Sequence, residues 1–349
     1  MTTNEMTDRK VVLSGIRATG KLHLGNYLGV LERFAKLSRD STRRCFYFIA
    51  DLHTLTTRKE AERIRDDAME IVLDMLAAGV DPEQATIYVQ SHVSVVAELA
   101  WYLACISPVG ELERMPTYKD KAAKQPEDVN AGLLFYPVLM AADILGPHAD
   151  LVPVGKDQEP HLEFTRELAR RFNRLYGSYF PIPDSMADES LTIPGLVAMD
   201  EEGRFAKMGK SEAPHEALYL HDTPDEIAGK IRRAPTDPAR ARRTDPGSPQ
   251  KCAIYSFHGL VSSDEELRWS AEGCRTADIS CVECKDVLSR NVNTRLADFR
   301  ERRAALAATP ERVQEIIAAG DERARAVFTE TTATVADRMG VFRRKAAAM

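Results

Sequence analysis

No run in this 349-residue sequence is long and apolar enough to span a membrane. The longest mostly apolar run, LLFYPVLMAADIL, falls short of the ~18 residues a span needs and contains an aspartate. The opening stretch, MTTNEMTDRK, lacks the apolar core of a secretory leader, so the chain is expected in the cytosol. Internal repeats and low-complexity tracts are missing too. Nor is there an overall basic field. The net charge is −6, so any nucleic-acid contact must come from local basic patches. The glycine-rich segment ATGKLHLGNYLG, residues 18–29, is neither a dinucleotide fingerprint nor a phosphate-binding P-loop, since no Gly-Lys-Ser/Thr follows at the required spacing. What remains is an ordinary globular composition, 44% hydrophobic and 29% charged, enough for one large or two ordinary domains.

The first 180 residues alternate β-rich runs with helical periodicity. KVVLSG, RCFYFIADL, ATIYVQS and DLVPVG read as strands; GNYLGVLERFAKLSRD, KEAERIRDDAMEIVLDMLAAGV and VVAELAWYLACI read as helices. This alternation predicts an α/β fold, a doubly wound parallel sheet with right-handed crossovers. Ligands of such sheets bind beyond the carboxyl ends of the strands. The Gly-His-Asn segment, ADLH (50–53) and VGKDQ (154–158) all fall there, which predicts one shared crevice. From about residue 222 the β signal fades into helical patterns, several opening on Ser, Thr or Asp followed by proline or acidic residues. The expected organisation is a catalytic domain over 1–215 and an all-helical domain over 216–349.

Two segments carry candidate chemistry. His23 and Asn26 flank Gly25 at the mouth of a helix, where backbone N–H groups and the helix dipole attract anions and both side chains can donate to phosphate oxygens. A turn with a satisfied surface histidine is the plainer reading. About 180 residues later, RFAKMGKSEAP sets Lys207 and Lys210 around Gly209, positioned to follow a leaving pyrophosphate; a solvated lysine loop is the plainer reading here.

Together, H-L-G-N and K-M-G-K-S resemble the two signatures of class I aminoacyl-tRNA synthetases. GNYLG, GELERMPTYKDK, NAGLLFYPVLMAADIL and ADLVPVGKDQEPHLEFTRELARRFN look closely like the bacterial tryptophanyl-tRNA synthetases, strongly over residues 10–215 and more loosely beyond. The resemblance implies a Rossmann-like catalytic domain, a helical anticodon-binding domain, a homodimer joined through part of 94–145, and tRNA(Trp) and L-tryptophan as partners. It implies ATP contacts at Arg17, Ala18 and Thr19, at Gly25 and Asn26, at Gly155, Lys156 and Asp157, at the Val197 backbone, and at Lys207, Met208, Gly209, Lys210 and Ser211. Tyr136 and Gln158 would hold the α-ammonium of tryptophan. Pro137 is expected to start a helix, because it biases Tyr136 toward an extended conformation. Met140 and Asp143 then share one face, the first as a polarizable wall and the second as acceptor for the indole N–H. A backbone or arginine partner for Asp143 is the alternative. The tryptophan carboxylate attacks the α-phosphate without a general base. The resemblance thus implies a catalytic set of His23, Asn26, Lys121, Lys207 and Lys210 with Mg²⁺, acting by positioning and charge stabilisation. The aminoacyl group then passes to the 3′-terminal adenosine of tRNA, usually at the 2′-hydroxyl in this class.

Three positions depart from the commonest family pattern. RATG (17–20) replaces Gln-Pro-Ser-Gly, which opens Arg17 to a phosphate contact. Thr117 stands where many members have glutamine, and Gly209 replaces the serine of K-M-S-K-S.

Of six cysteines, Cys45 and Cys105 lie in apolar segments and read as small core residues. Cys274, Cys281 and Cys284, with Cys252 22 positions before Cys274, have the grouping of a metal site, for zinc or for an iron–sulfur cluster; a chance collection of buried thiols is the plainer reading. Some tryptophanyl-tRNA synthetases carry a [4Fe-4S] cluster on similarly spaced cysteines, and that resemblance favours iron–sulfur over Zn²⁺, in a structural role near the anticodon. KIRRAPTDPARARR, with six Lys/Arg and one Asp over 230–243, is a candidate contact for tRNA phosphates.

Overall fold

The structure is a computed structural model that describes residues 9–57, 60–124, 127, 129–186, 193–197, 205–206, 208 and 216–342. Five parallel strands form its sheet: β1 (Lys10–Ile16), β2 (Arg43–Ile49), β3 (Ala85–Val89), β4 (Leu151–Val152) and β5 (Asp184–Ser185), in the order β3-β2-β1-β4-β5. The chain runs outward from β1 to β3, returns beside β1 as β4, and continues outward to β5. The strand order therefore reverses between β1 and β4, where open α/β sheets bind ligands. Every residue of β3, and Cys45 to Ile49 of β2, is buried, as expected of strands covered on both faces.

Fifteen α-helices are described. In the first part these are α1 (Leu24–Asn26), α2 (Glu32–Ser38), α3 (Asp51–Thr54), α4 (Ala61–Ala77), α5 (Val95–Ala104), α6 (Val109–Glu113), α7 (Pro116–Lys124), α8 (Ala131–Leu145) and α9 (Glu159–Tyr176). Then come α10 (Pro224–Arg233), α11 (Ala253–Val261), α12 (Asp264–Thr276), α13 (Cys281–Arg295), α14 (Ala297–Ala307) and α15 (Pro310–Arg338). Alternating residues of each strand feed two cores. Val12, Tyr47 and Ile87 face α2, α4 and α14; Leu13, Phe46 and Tyr88 face α5, α8, α9 and α15. Phe34 stacks on Tyr47 at 4.1 Å and 3° in the first core.

α15 closes the open side of β3. Gly320 permits this contact, since a Cβ there would lie 1.7 Å from the Ile87 carbonyl oxygen. The neighbouring Asp321 accepts the backbone N–H of Val89 at 3.0 Å. An edge strand otherwise presents unpaired donors, and here a helix covers them. No described helix is long and apolar enough to cross a membrane.

Two local expectations need correction. Pro137 does not start a helix. It lies inside α8, which begins six residues earlier under the cap of Asn130, whose side chain accepts from Leu133 N–H. That cap and the apolar face of α8 outweigh the one hydrogen bond a proline forfeits. Cys105 is exposed rather than part of the core, because it caps the C-terminal end of α5, where the chain turns back to the surface. β5 and α7 carried too little pattern to be read.

Candidate active site

A cleft of about 450 Å³ opens at the strand-order reversal. Arg17, Thr19 and Asn26 line it from beyond β1, His53 and Thr56 from beyond β2, and Gly155 and Gln158 from beyond β4. Tyr136, Met140 and Asp143 of α8 form its wall, and Thr117 of α7 joins them. These are the three strand ends expected to converge.

The His-Leu-Gly-Asn turn is held by reciprocal hydrogen bonds. Asn26 N–H donates to His23 Nδ1 at 3.2 Å, and His23 N–H donates to Asn26 Oδ1 at 3.0 Å. A capping box of this kind satisfies two backbone donors at once. It also fixes the tautomer: Nδ1 accepts, so Nε2 of the neutral ring carries the proton. The segment after the lysine loop lies antiparallel against this turn. Leu24 N–H donates to Leu218 O at 2.7 Å, and Leu220 N–H to Leu22 O at 3.0 Å. Downstream, α1 widens into a π-helical turn over Tyr27–Leu31, a form common beside functional sites. His23 itself is buried at 6% exposure and does not line the cleft.

Asp143 is fully buried. Gln90 Nε2 donates to both of its oxygens at 2.8 Å, and His53 Nε2 lies 2.9 Å from Oδ2. An ionised carboxylate only accepts, which puts the His53 proton on Nε2. Burial pushes the Asp143 carboxyl above its usual range, while His53 and Gln90 pull it back. Two turns before Asp143 on the same face of α8, Tyr136 O–H meets His161 Nε2 in a short hydrogen bond. Burial raises the Tyr136 phenol, against a Thr117 hydrogen bond and the charge of Arg17. Burial likewise lowers His161, so the phenol donates and the neutral imidazole accepts.

Other predicted residues stand apart from the cleft wall. Ala18 and Met208 are buried, the latter through a backbone bond to Ile193 at 2.9 Å; Gly25, Asp157 and Val197 do not line the cleft. Arg17, by contrast, does line the cleft; it is exposed and donates to Thr57 Oγ1 at 2.9 Å. Asp157 accepts from Gln158 Nε2 at 2.7 Å. Lys207, Gly209, Lys210 and Ser211 lie outside the described residues, as do the side chains of Lys121 and Lys156. His53, Gln90 and His161 were not assigned from sequence. Two of them stand inside motifs that were noticed, and Gln90 closes the predicted strand ATIYVQS.

Cys252, Cys274, Cys281 and Cys284 line one small cavity of about 30 Å³ with Arg240, Ile279 and others. Gly247 comes close enough that a Cβ would lie 2.6 Å from Cys274 Sγ. Burial raises the thiols of Cys252, Cys274 and Cys284, the last to about 12 with the other three adding to it. Among the described residues, no three His, Cys, Asp or Glu side chains stand in a metal-holding arrangement. In the basic stretch, Lys230 is committed to Asp222 at 2.6 Å, and the buried Arg240 donates to the Ile279 and Arg243 carbonyls. Arg232, Arg233, Arg242 and Arg243 remain on the surface.

Residues 5–297 match the family described as tRNA synthetases class I (W and Y). The chain belongs to that family. Its relatives within it are tryptophan–tRNA ligases: it is 42% identical to that of Deinococcus radiodurans over 94% of this chain and 98% of the other, and 43% identical to that of Thermotoga maritima over 92% and 96%. The tryptophanyl-tRNA synthetase of Campylobacter jejuni, solved in complex with ADP and tryptophan, superposes with a TM-score of 0.84 at 29% identity, covering 95% of this chain and 99% of that one.

Proposed function

We infer that the chain is a tryptophan–tRNA ligase, activating L-tryptophan with ATP and passing it to the 3′-terminal adenosine of tRNA(Trp). The observation that carries the substrate assignment is Asp143, a carboxylate buried in the cleft wall with both oxygens held by Gln90 and His53. An indole N–H reaching this carboxylate satisfies it further, whereas a phenyl ring covers it with no donor. Met140 flanks the ring, and Tyr136 and Gln158 meet the α-ammonium.

ATP, brought as its magnesium complex, occupies the half of the cleft beside Arg17, Thr19, Asn26 and Gly155. The tryptophan carboxylate attacks the α-phosphorus, a new C–O–P linkage forms, and pyrophosphate leaves. Carboxylate is nucleophile enough, so the protein's part is alignment and stabilisation of charge on the phosphates. Those roles fall to Asn26, held in place by the buried His23 turn, and to Lys121, Lys207 and Lys210.

The helical residues 216–349 are assigned to tRNA, with Arg232, Arg233, Arg242 and Arg243 on its phosphates. A homodimer through part of 94–145 accords with the exposure of Trp101 and Val109 there, 65% and 58%. We assign the four cysteines to a [4Fe-4S] cluster in a structural role, with Zn²⁺ as the alternative occupant. What supports this is four soft donors around one cavity beside cationic Arg240 and Lys285, which would offset thiolate charge. The sulfurs would have to close onto the metal from their present positions.

The test is ATP–pyrophosphate exchange on anaerobically prepared protein, with tryptophan, tyrosine and phenylalanine compared. Exchange with tryptophan alone is expected, together with the brown colour of a bound thiolate-held iron cluster. Exchange with tyrosine instead would overturn the substrate assignment, and colourless protein holding zinc would replace the cluster by that metal.

A further inference from the structure

Gln90 is gripped from both sides, and the grip comes from a helix more than 200 residues away in sequence. Val89 N–H donates to Asp321 Oδ1 at 3.0 Å, and His92 Nδ1 lies 2.6 Å from Asp321 Oδ2. One carboxylate of α15 thus holds the residue before Gln90 and the second residue after it. The next residue of the turn, Ser91, gives its backbone N–H to Asp51 Oδ1 at 3.0 Å and its hydroxyl to Asp51 Oδ2. Asp51 opens α3, the helix that also carries His53. Arg325, one turn beyond Asp321, donates to the His92 carbonyl at 3.2 Å.

These bonds form a closed polar circuit. Asp321 fixes the turn that aims Gln90, Asp51 ties that turn to α3, and Gln90 and His53 together hold Asp143. Gln90 is fully buried, and its Oε1 has no hydrogen-bond partner among the described residues. Nothing on that oxygen therefore locks the amide, and its aim rests on the backbone of residues 89–92. A buried hydrogen-bonding pair loses most of its strength when its distance or angle drifts, so backbone position here translates into the quality of the Asp143 acceptor. The Gly320–Asp321 pair makes the docking specific: the glycine permits contact with β3, and the aspartate sets its register.

We propose that Asp321, outside the cleft, is a positioning residue for tryptophan specificity, acting through Gln90 on the Asp143 carboxylate. This rests on the assignment of Asp143 to the indole N–H. It makes α15 part of the substrate-selecting apparatus as well as the cover of an edge strand.

The test compares tryptophan with β-(3-benzothienyl)alanine, which keeps the bicyclic shape but has sulfur in place of the indole N–H. Pyrophosphate exchange gives kcat/KM for each in the unaltered chain and in Asp321→Asn. The variant is expected to lose about 5-fold or more of the preference for tryptophan, with KM for ATP unchanged. A purely structural role lowers the melting temperature and leaves the preference intact; that result overturns the proposal. Should Asp321→Asn fail to fold, His92→Ala takes its place, since that ring is half exposed. A drop in preference of about 2-fold supports the proposal, and an unchanged preference overturns it. If the unaltered chain exchanges with tryptophan but does not prefer it to the sulfur analogue, the assignment of Asp143 fails and this inference falls with it. An intact preference that Asp321→Asn and His92→Ala leave unmoved sinks this inference alone.

Discussion

Asp143 is held at a cost to stability. Its carboxyl is fully buried and pushed toward protonation by that burial, and its two partners are side chains whose own bonds depend on it. Asp143→Asn keeps the shape, can still bond Gln90 and His53, and removes the buried charge. The expected outcome is a fall in kcat/KM for tryptophan on the order of 100-fold with a melting temperature equal to or above that of the unaltered chain. Exchange kinetics and thermal melting on one preparation decide it; undiminished discrimination against phenylalanine would refute the role. The aspartate itself was legible in the sequence because a charge in LLFYPVLMAADIL demands a partner. The partners were not. His53 and Gln90 stand 90 and 53 positions from Asp143, and only the sheet brings them together. His161 was hidden for the same reason, 25 positions from the phenol it meets.

Glycines decide how the elements dock. A Cβ on Gly320 would overlap the Ile87 carbonyl, so α15 would have to lift away from β3. Gly320→Val is expected to destabilise the fold by about 1–3 kcal/mol in urea unfolding, the usual range for overpacked core contacts. Gly259, in α11, has nothing within 4 Å of where a Cβ would stand. Gly259→Ala should therefore stabilise by about 0.5–1 kcal/mol through helix propensity alone. Opposite signs from two glycine substitutions in helices are the outcome that checks this account. At this scale the long periodic segments α4, α10 and α15 and the strands β1 to β3 were legible, because their faces repeat an apolar pattern; α9 was not read as a helix. β4 was read from DLVPVG although only two of its residues pair as strand, whereas β5, equally short, carries too little period to read and was missed. Pro137 misled because a local rule about proline was weighed without Asn130, whose cap fixes where α8 begins.

Across the whole molecule, buried imidazoles couple folding to acidity. His148 and His161 are each held below 6.5 by burial, at separate places in the catalytic part. In the unfolded chain both take up protons as pH falls through about 6.5, while the folded chain does not until lower pH. The unfolded state then binds more protons, so stability is lost as pH drops from 7.5 toward 5.5. Urea unfolding at those two pH values measures the loss, and His148→Phe should lessen it. A stability that does not decline over that window would contradict the assignment of neutral buried rings. The order of the sheet was legible only in part: alternation announced parallel strands, but no local signal marks where their order reverses. The cover that α15 lays over β3 has a consequence for synthesis. Val89 and Asp321 are 232 residues apart. At roughly 5–20 residues per second, a ribosome needs on the order of 10–50 s to deliver the helix after the strand has emerged. Throughout that interval the nascent chain carries a sticky border able to recruit other strands, which makes it a natural client for chaperones during translation.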